Sequence, residues 1–309
     1  MEDKNTLVLV FKKFLRFKDS IKWSMISFLG FILGLNTLSI KPNLIAFIVF
    51  ISSTFFIMSF TFAINNFYDV ETDKINPRRQ KINAIASGQL SKKISIIILM
   101  FLVIAPLLIS ISYGLNLFFF CAFLLFLGWA YSAPPLRTKN VPVVDVIWHF
   151  VGFFSYIVWG SLISGSINTF VLFMAISIGI FSSIGQIGNH INDYKSDKES
   201  GTITFAVWAG LDKSKSSLKI VTFLHLIFLL PLVLFYSINN YISIFVLCFI
   251  TIIGLILLRP KRGAFPSNRC FIYFFTIVIG GAVYLSCLIY HILSLIDFAT
   301  IYIIQIGIG

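Results

Sequence analysis

Residues 43–66 read NLIAFIVFISSTFFIMSFTFAINN, and the chain runs on through FYDVETD to residue 73. The apolar part is long enough for a bilayer-crossing helix, which takes about 20 residues. A polar row closes it: Asn65, Asp69 and Asp73. At spacings of four, these side chains share one helical face with ~40° of drift per step, along ~12 Å of its edge. Carboxylates stacked this way repel each other unless a cation lies between them. The pattern returns 124 positions later as Asn189, Asp193 and Asp197, again closing a long apolar run. The two rows predict two helix ends that meet across a narrow gap and chelate divalent ions between them.

Composition agrees with a bilayer setting. Of 309 residues, 58% are hydrophobic and only 12% charged, where an ordinary soluble domain carries about 25% charged residues. The expected fold is all-α, a polytopic membrane bundle. Nine spans are predicted near 22–40, 43–66, 92–113, 115–132, 143–164, 168–191, 218–236, 239–258 and 271–293. They form a single domain over 1–309, in which 1–21 is a basic amphipathic segment. That segment either lies on the membrane surface or is a solvated arm that obeys the charge bias. Its first residues lack a signal-peptide pattern, so the first span is expected to direct insertion. The cysteines Cys121, Cys248, Cys270 and Cys287 show no CxxC spacing and read as packing residues.

Charge sets the topology. Of the 24 basic residues, 23 fall in the N-terminal segment and in alternate connections, and Lys41 stands alone on the other side. The positive-inside rule then places the N-terminus and the long loops in the cytoplasm and the C-terminus outside. The net charge of +12 marks sidedness, and no nucleic-acid partner is expected. Both acidic rows sit at the cytoplasmic ends of the second and sixth predicted spans.

Carboxylate oxygens favour a hard cation, and Mg²⁺ takes one or two carboxylates plus phosphate oxygens. Basic residues crowd the same side: Arg78, Arg79 and Lys81 after the first row, Arg137 and Lys139 near 133–142, Lys195 and Lys198 around the second row. Each of Arg78, Arg79 and Lys81 reads either as a topology determinant or as a ligand for an anion. Metal and basic groups together neutralise a departing diphosphate as its charge develops. An apolar bundle behind them houses a hydrocarbon tail, and aromatic faces stabilise a carbocation. The residues alone therefore suggest ionisation of a prenyl diphosphate at the membrane surface. Asp145 reads first as a charge at a helix N-terminus, and second as an acceptor-side residue. His149, His190, His225 and His291 are scattered and read as core or interfacial groups.

Three segments resemble the UbiA superfamily of intramembrane prenyltransferases: NNFYDVETDKINPRRQ (65–80), YSAPPLRTK (131–139) and NHINDYKSDKESGTITFAVWAG (189–210). The resemblance covers nearly the whole chain. It implies nine helices around a central cavity that opens sideways to lipid, capped by cytoplasmic loops. It implies that Asp69, Asp73, Asp193 and Asp197 hold Mg²⁺, with Asn65 and Asn189 beside the diphosphate. Arg78 would grip the diphosphate, with Tyr131 and Lys139 near it and with Arg79 and Lys81 as further basic partners. The chain departs from many members in PRRQKINAIASG (77–88), which lacks an Arg-Pro pair before the glycine. Its Asn-Pro-Arg and Thr-Phe-Ala-Val variants are closer to carotenoid- and chlorophyll-type branches than to those using 4-hydroxybenzoate.

Three functions fit these expectations. One is Mg²⁺-dependent transfer of a prenyl group from its diphosphate to a lipophilic acceptor in the bilayer. Another is a terpene cyclase that ionises the same donor and lets the tail attack itself. The third is a transporter, which would carry its acids near the midplane on broken helices, unlike the rim placement here.

Overall fold

The computed structural model describes residues 9–35, 44–165, 167–239, 281–286, 289 and 292, apart from the side chains of 11, 78 and 235–239. Every regular element among them is helical. A π-helical turn (Val10–Phe14) leads into α1 (Phe17–Leu35), followed by α2 (Leu44–Tyr68) and the short α3 (Val70–Ile75) and α4 (Pro77–Ile82). Then come α5 (Lys92–Tyr113), α6 (Leu115–Ser132), a 3₁₀ turn (Thr138–Asn140), α7 (Pro142–Ser164) and α8 (Thr169–Asn192). The described order closes with α9 (Tyr194–Glu199), α10 (Phe205–Ala209) and α11 (Leu211–Asn239).

Local chemistry sets these boundaries. The Ser91 side chain accepts from Ile94 N at the start of α5, and Asn168 accepts from Val171 N at the start of α8. Each satisfies a backbone donor that a helix start leaves open. Pro142 opens α7, where its missing N–H costs nothing. Gly114 adopts an extended conformation and separates α5 from α6. The prolines Pro106 and Pro231 both lie inside helices, α5 and α11.

Six of the described helices are long and apolar enough to cross a membrane: α2, α5, α6, α7, α8 and Leu211–Leu234 of α11. They correspond to six of the nine predicted spans. The first predicted span corresponds to α1, which starts at Phe17 instead of residue 22. Lys18 and Lys22 are exposed there, and long amine-tipped side chains let a helix run past the apolar layer into water. The span at 239–258 and most of that at 271–293 lie outside the described residues.

The helices pack as α1 on α7, α7 on α8, α8 on α11 and α2 on α5. Side chains on α5 such as Ile97, Phe101 and Leu108, and Phe119 and Phe126 on α6, face outward, as a lipid-facing surface requires. Buried polar groups fix the interior. Trp159 Nε1 donates to Thr54 Oγ1 at 3.0 Å, joining α7 to α2. His225 Nε2 lies 2.7 Å from the Tyr284 hydroxyl, which is 2.9 Å from Ser177 Oγ. Phe14 is fully buried, and Asn66 Nδ2 donates to the carbonyls of Lys13 (3.1 Å) and Phe14 (3.2 Å). The segment before α1 is thus pinned beneath the end of α2.

The tightest seam is between α1 and α7. A Cβ at Gly30 would overlap the Ile157 carbonyl oxygen, and one at Gly160 would overlap the Ser27 carbonyl oxygen. Small residues at such crossings let membrane helices approach closely. Gly160→Leu should therefore force the pair apart and destabilise the bundle by about 1–3 kcal/mol. A lower thermal midpoint of the detergent-purified protein would register this. Gly185→Ala is the control, because its Cβ meets nothing within 4 Å.

Candidate active site

A cavity of about 520 Å³ opens among α1, α2, α6, α7 and α8. Met58, Leu124, Leu127 and Phe153 give it apolar walls. Asn65, Asp69, Lys139 and Arg79 line it on the side of the first acidic row.

That row is bent. Asp69 has φ −92°, ψ 6°, against about −42° for ψ in a regular helix. The turn hydrogen bonds persist, from Asp69 N to Asn65 O at 3.0 Å and from Asp73 N to Asp69 O at 2.8 Å. The second row has the same bend: Asp193 has φ −92°, ψ 3°, with Asp193 N to Asn189 O at 2.9 Å and Asp197 N to Asp193 O at 2.8 Å. A ψ change of this size rotates whatever follows. Asn65 and Asp69 line the cavity, whereas Asp73 does not. Asp73 is buried instead, accepting from Asn83 Nδ2 at 2.9 Å. The straight face expected for all three residues is corrected in this respect.

Lys139 reaches the rim from the connection between α6 and α7. Its Nζ lies 2.9 Å from Asn65 Oδ1 and 2.6 Å from each Asp69 carboxylate oxygen. Arg137 Nη2 donates to Asp69 Oδ1 at 2.9 Å. Arg137 holds a left-handed backbone, φ 35°, ψ 54°, a conformation costing a non-glycine residue about 1–2 kcal/mol. The charge-assisted bond to Asp69 offsets that cost. Burial pushes the Lys139 ammonium below its ordinary range, with the Asp69 carboxylate pulling partly the other way.

The remaining expected residues divide. Tyr131 lines the cavity, its hydroxyl 3.5 Å from His149 Nε2. Lys81 is exposed and off the cavity, and the Arg78 side chain lies outside the described part. Asn189 and Asp193 are exposed, Asp197 is half-buried, and none of the three lines the cavity. Among the described residues, no three His, Cys, Asp or Glu side chains gather closely enough to hold an ion.

The first row nonetheless suits a hard cation. Three oxygens of Asn65 and Asp69 converge on one positive centre, the Lys139 ammonium. Mg²⁺ needs only one or two carboxylates when substrate oxygens complete its shell. The second row is not turned toward this point.

α8 contributes other groups to the cavity. Asp145, only 2% exposed, accepts from Gln186 Nε2 at 2.7 Å and lies 3.2 Å from His190 Nε2. His149 Nε2 is 4.0 Å from Asp145 Oδ1. Asp145 does occupy the first turn of α7, but burial and these partners give it more than a helix-end role. The spacing of Asp145 and His149 by four was a signal of a shared face; the 41 positions to Gln186 gave none.

Fold and site together define a helical membrane protein with an apolar chamber that opens at a rim of carboxylate, amide and basic groups. The chain belongs to the UbiA prenyltransferase family, which it matches over residues 25–278. No curated protein matches it in sequence. A UbiA homologue from Archaeoglobus fulgidus bound to GPP and Mg²⁺ is similar with a TM-score of 0.64 and 20% identity, covering 93% of this chain and 99% of that one. A digeranylgeranylglyceryl phosphate synthase structure gives a TM-score of 0.72 at 20% identity, covering 94% and 99%. An apo UbiA homologue from Aeropyrum pernix K1 gives 0.62 at 14% identity, covering 85% and 97%. These likenesses are of fold.

Asp69→Asn would leave Lys139 and Arg137 adjacent without their anion. Breaking such a pair should cost about 3 kcal/mol in the metal-free protein. Adding Lys139→Met to that variant should restore part of the loss, and a double-mutant cycle of thermal or denaturant unfolding would measure the coupling.

Proposed function

We propose that this protein is a Mg²⁺-dependent prenyltransferase, moving a prenyl group from an isoprenyl diphosphate to a lipophilic acceptor within the membrane. The observation that carries this reading is the Lys139 ammonium gripped by Asn65 and Asp69 at the edge of an apolar cavity. It marks a place where anionic oxygens and cations meet at the head of a space suited to a hydrocarbon tail. Family membership and the donor and metal bound by the Archaeoglobus homologue support it.

The chain's own groups suit the parts of this reaction. Asp69 and Asn65 would hold Mg²⁺ on the first row; Asp73, Asp193 and Asp197, the further metal ligands implied by the family resemblance, lie off the cavity and would have to turn toward it to share the ion. Bound there, Mg²⁺ supplies positive charge against the diphosphate as the allylic C–O bond breaks. Lys139, Arg137 and Arg79 add fixed positive charge at the same edge, with Arg78, Lys81 and Asn189 assigned to the diphosphate. Tyr131 lines the same cavity. Met58, Leu124 and Phe153 keep water from the allylic carbon. The site is assigned to the cytoplasmic face, with the N-terminus on that side and the C-terminus outside.

A cyclase would share every step up to the cation. Incubation with donor and no acceptor separates the two readings, since a cyclic hydrocarbon is the cyclase outcome.

Detergent-purified protein should release diphosphate from labelled geranylgeranyl diphosphate when Mg²⁺ is present. EDTA should abolish the release, and Asp69→Ala and Asp193→Ala should each lower it by about 100-fold or more, the scale of losing a main transition-state charge stabiliser. Full activity in both variants would refute the assignment.

A further inference from the structure

The wall formed by Asp145, His149, Gln186 and His190 has no task in ionising the donor. It lines the same cavity as Asp69 and Lys139. Two of its buried atoms lack a hydrogen-bond partner: Asp145 Oδ1 and His190 Nδ1. An unsatisfied carboxylate oxygen in so buried a place costs free energy unless a donor arrives during function. The other oxygen, Oδ2, is fixed by Gln186 at 2.7 Å and faces His190 at 3.2 Å. Asp145 is therefore held with one oxygen free.

His149 stands beside that oxygen. Its Nδ1 lies 3.4 Å from Ser182 Oγ, and its Nε2 lies 3.5 Å from the Tyr131 hydroxyl and 4.0 Å from Asp145 Oδ1. Placing the ring hydrogen on Nδ1, toward Ser182, leaves the Nε2 lone pair at the cavity wall beside the Tyr131 hydroxyl. A proton taken up at Nε2 would face Asp145 Oδ1, the oxygen that lacks a partner. A proton there gives that carboxylate oxygen a charged neighbour.

We propose that His149, supported by Asp145, takes the proton that the acceptor loses when it captures the prenyl cation. This rests on the prenyltransferase reading. The balance is simple. The allylic C–O bond breaks and its electron pair leaves with the diphosphate. An acceptor π pair or hydroxyl lone pair forms the new bond to the allylic carbon. The acceptor then gives up a proton from the carbon or oxygen that made the bond, and His149 Nε2 binds it. Gln186 and His190 are positioning residues, keeping Asp145 turned toward His149. An acceptor suited to this wall brings an uncharged, proton-yielding group, since the free carboxylate oxygen repels an anionic head.

The test uses the full chain in detergent with Mg²⁺, labelled geranylgeranyl diphosphate and a total membrane lipid extract as acceptor source. Diphosphate release and the fate of the label are measured separately. Wild type should place label in lipid adducts. Asp145→Asn and His149→Gln should keep diphosphate release within a few-fold, while label shifts at least tenfold from adduct to geranylgeraniol, a modest share of what a general base contributes. Water captures the cation in that case because it sheds its proton to solvent. An unchanged partition with normal release would overturn the proposal. So would a proportional fall of release and transfer, which marks a structural role, or a wild type that yields geranylgeraniol alone. A wild type that releases no diphosphate would defeat the prenyltransferase reading itself. If Asp145→Asn does not run as a monodisperse protein, His149→Gln decides the matter, since that side chain is partly open to the cavity and makes only long polar contacts.

Discussion

A carboxylate buried at the end of a membrane-crossing helix needs positive charge or hydrogen-bond donors against it. Asp69 obeys this constraint, and the architecture around it follows. Its counter-charges, Arg137 and Lys139, come from the connection between α6 and α7, about 70 positions away in the chain. Meeting Asp69 draws that connection across the end of α2 and accounts for the left-handed turn at Arg137. Asn65 joins the same ammonium, so one polar knot ties α2 to the start of α7. The apolar chamber has a defined rim because this knot is there.

A second, smaller set of tethers supports the first. Asn66 is next to Asn65 in sequence but serves a different end, holding the carbonyls of Lys13 and Phe14. Asn83 donates to the Asn66 carbonyl at 2.8 Å and to Asp73. The segment before α1, the end of α2 and the stretch after α4 thus share one hydrogen-bonded chain. Asp73 belongs to this scaffold here, while Asp69 faces the cavity.

The spans were the most legible part of the chain. The boundaries 92–113 and 115–132 coincide with α5 and α6, because a bilayer demands a fixed apolar length and Gly114 interrupts it. Asn65, Asp69, Arg79 and Lys139 were expected at this edge from their types and their place near span ends, and Tyr131 from the family resemblance; all five line the cavity. Three features were not legible. The bend at Asp69 depends on backbone angles that no spacing rule encodes, so Asp73 left the expected face. Asp145 lay outside both acidic rows, and its partners Gln186 and His190 come from α8, with only packing to join them. The second row repeats the first in letters, yet Asp193 is exposed while Asp69 is buried, because no equivalent of the Arg137–Lys139 connection covers it among the described residues.

The matching bends at Asp69 and Asp193 separate two demands on one chain. Upstream of each bend, the side chains answer to lipid and to neighbouring spans. Downstream, the helix restarts along a new direction, so its residues are aimed independently of how the span is rotated in the bilayer. Such a joint lets the polar ends diversify in orientation while the hydrophobic shafts keep their packing. This chain and its structural neighbours are alike in shape at 20% identity or less, as a shared membrane frame with separately aimed polar ends allows.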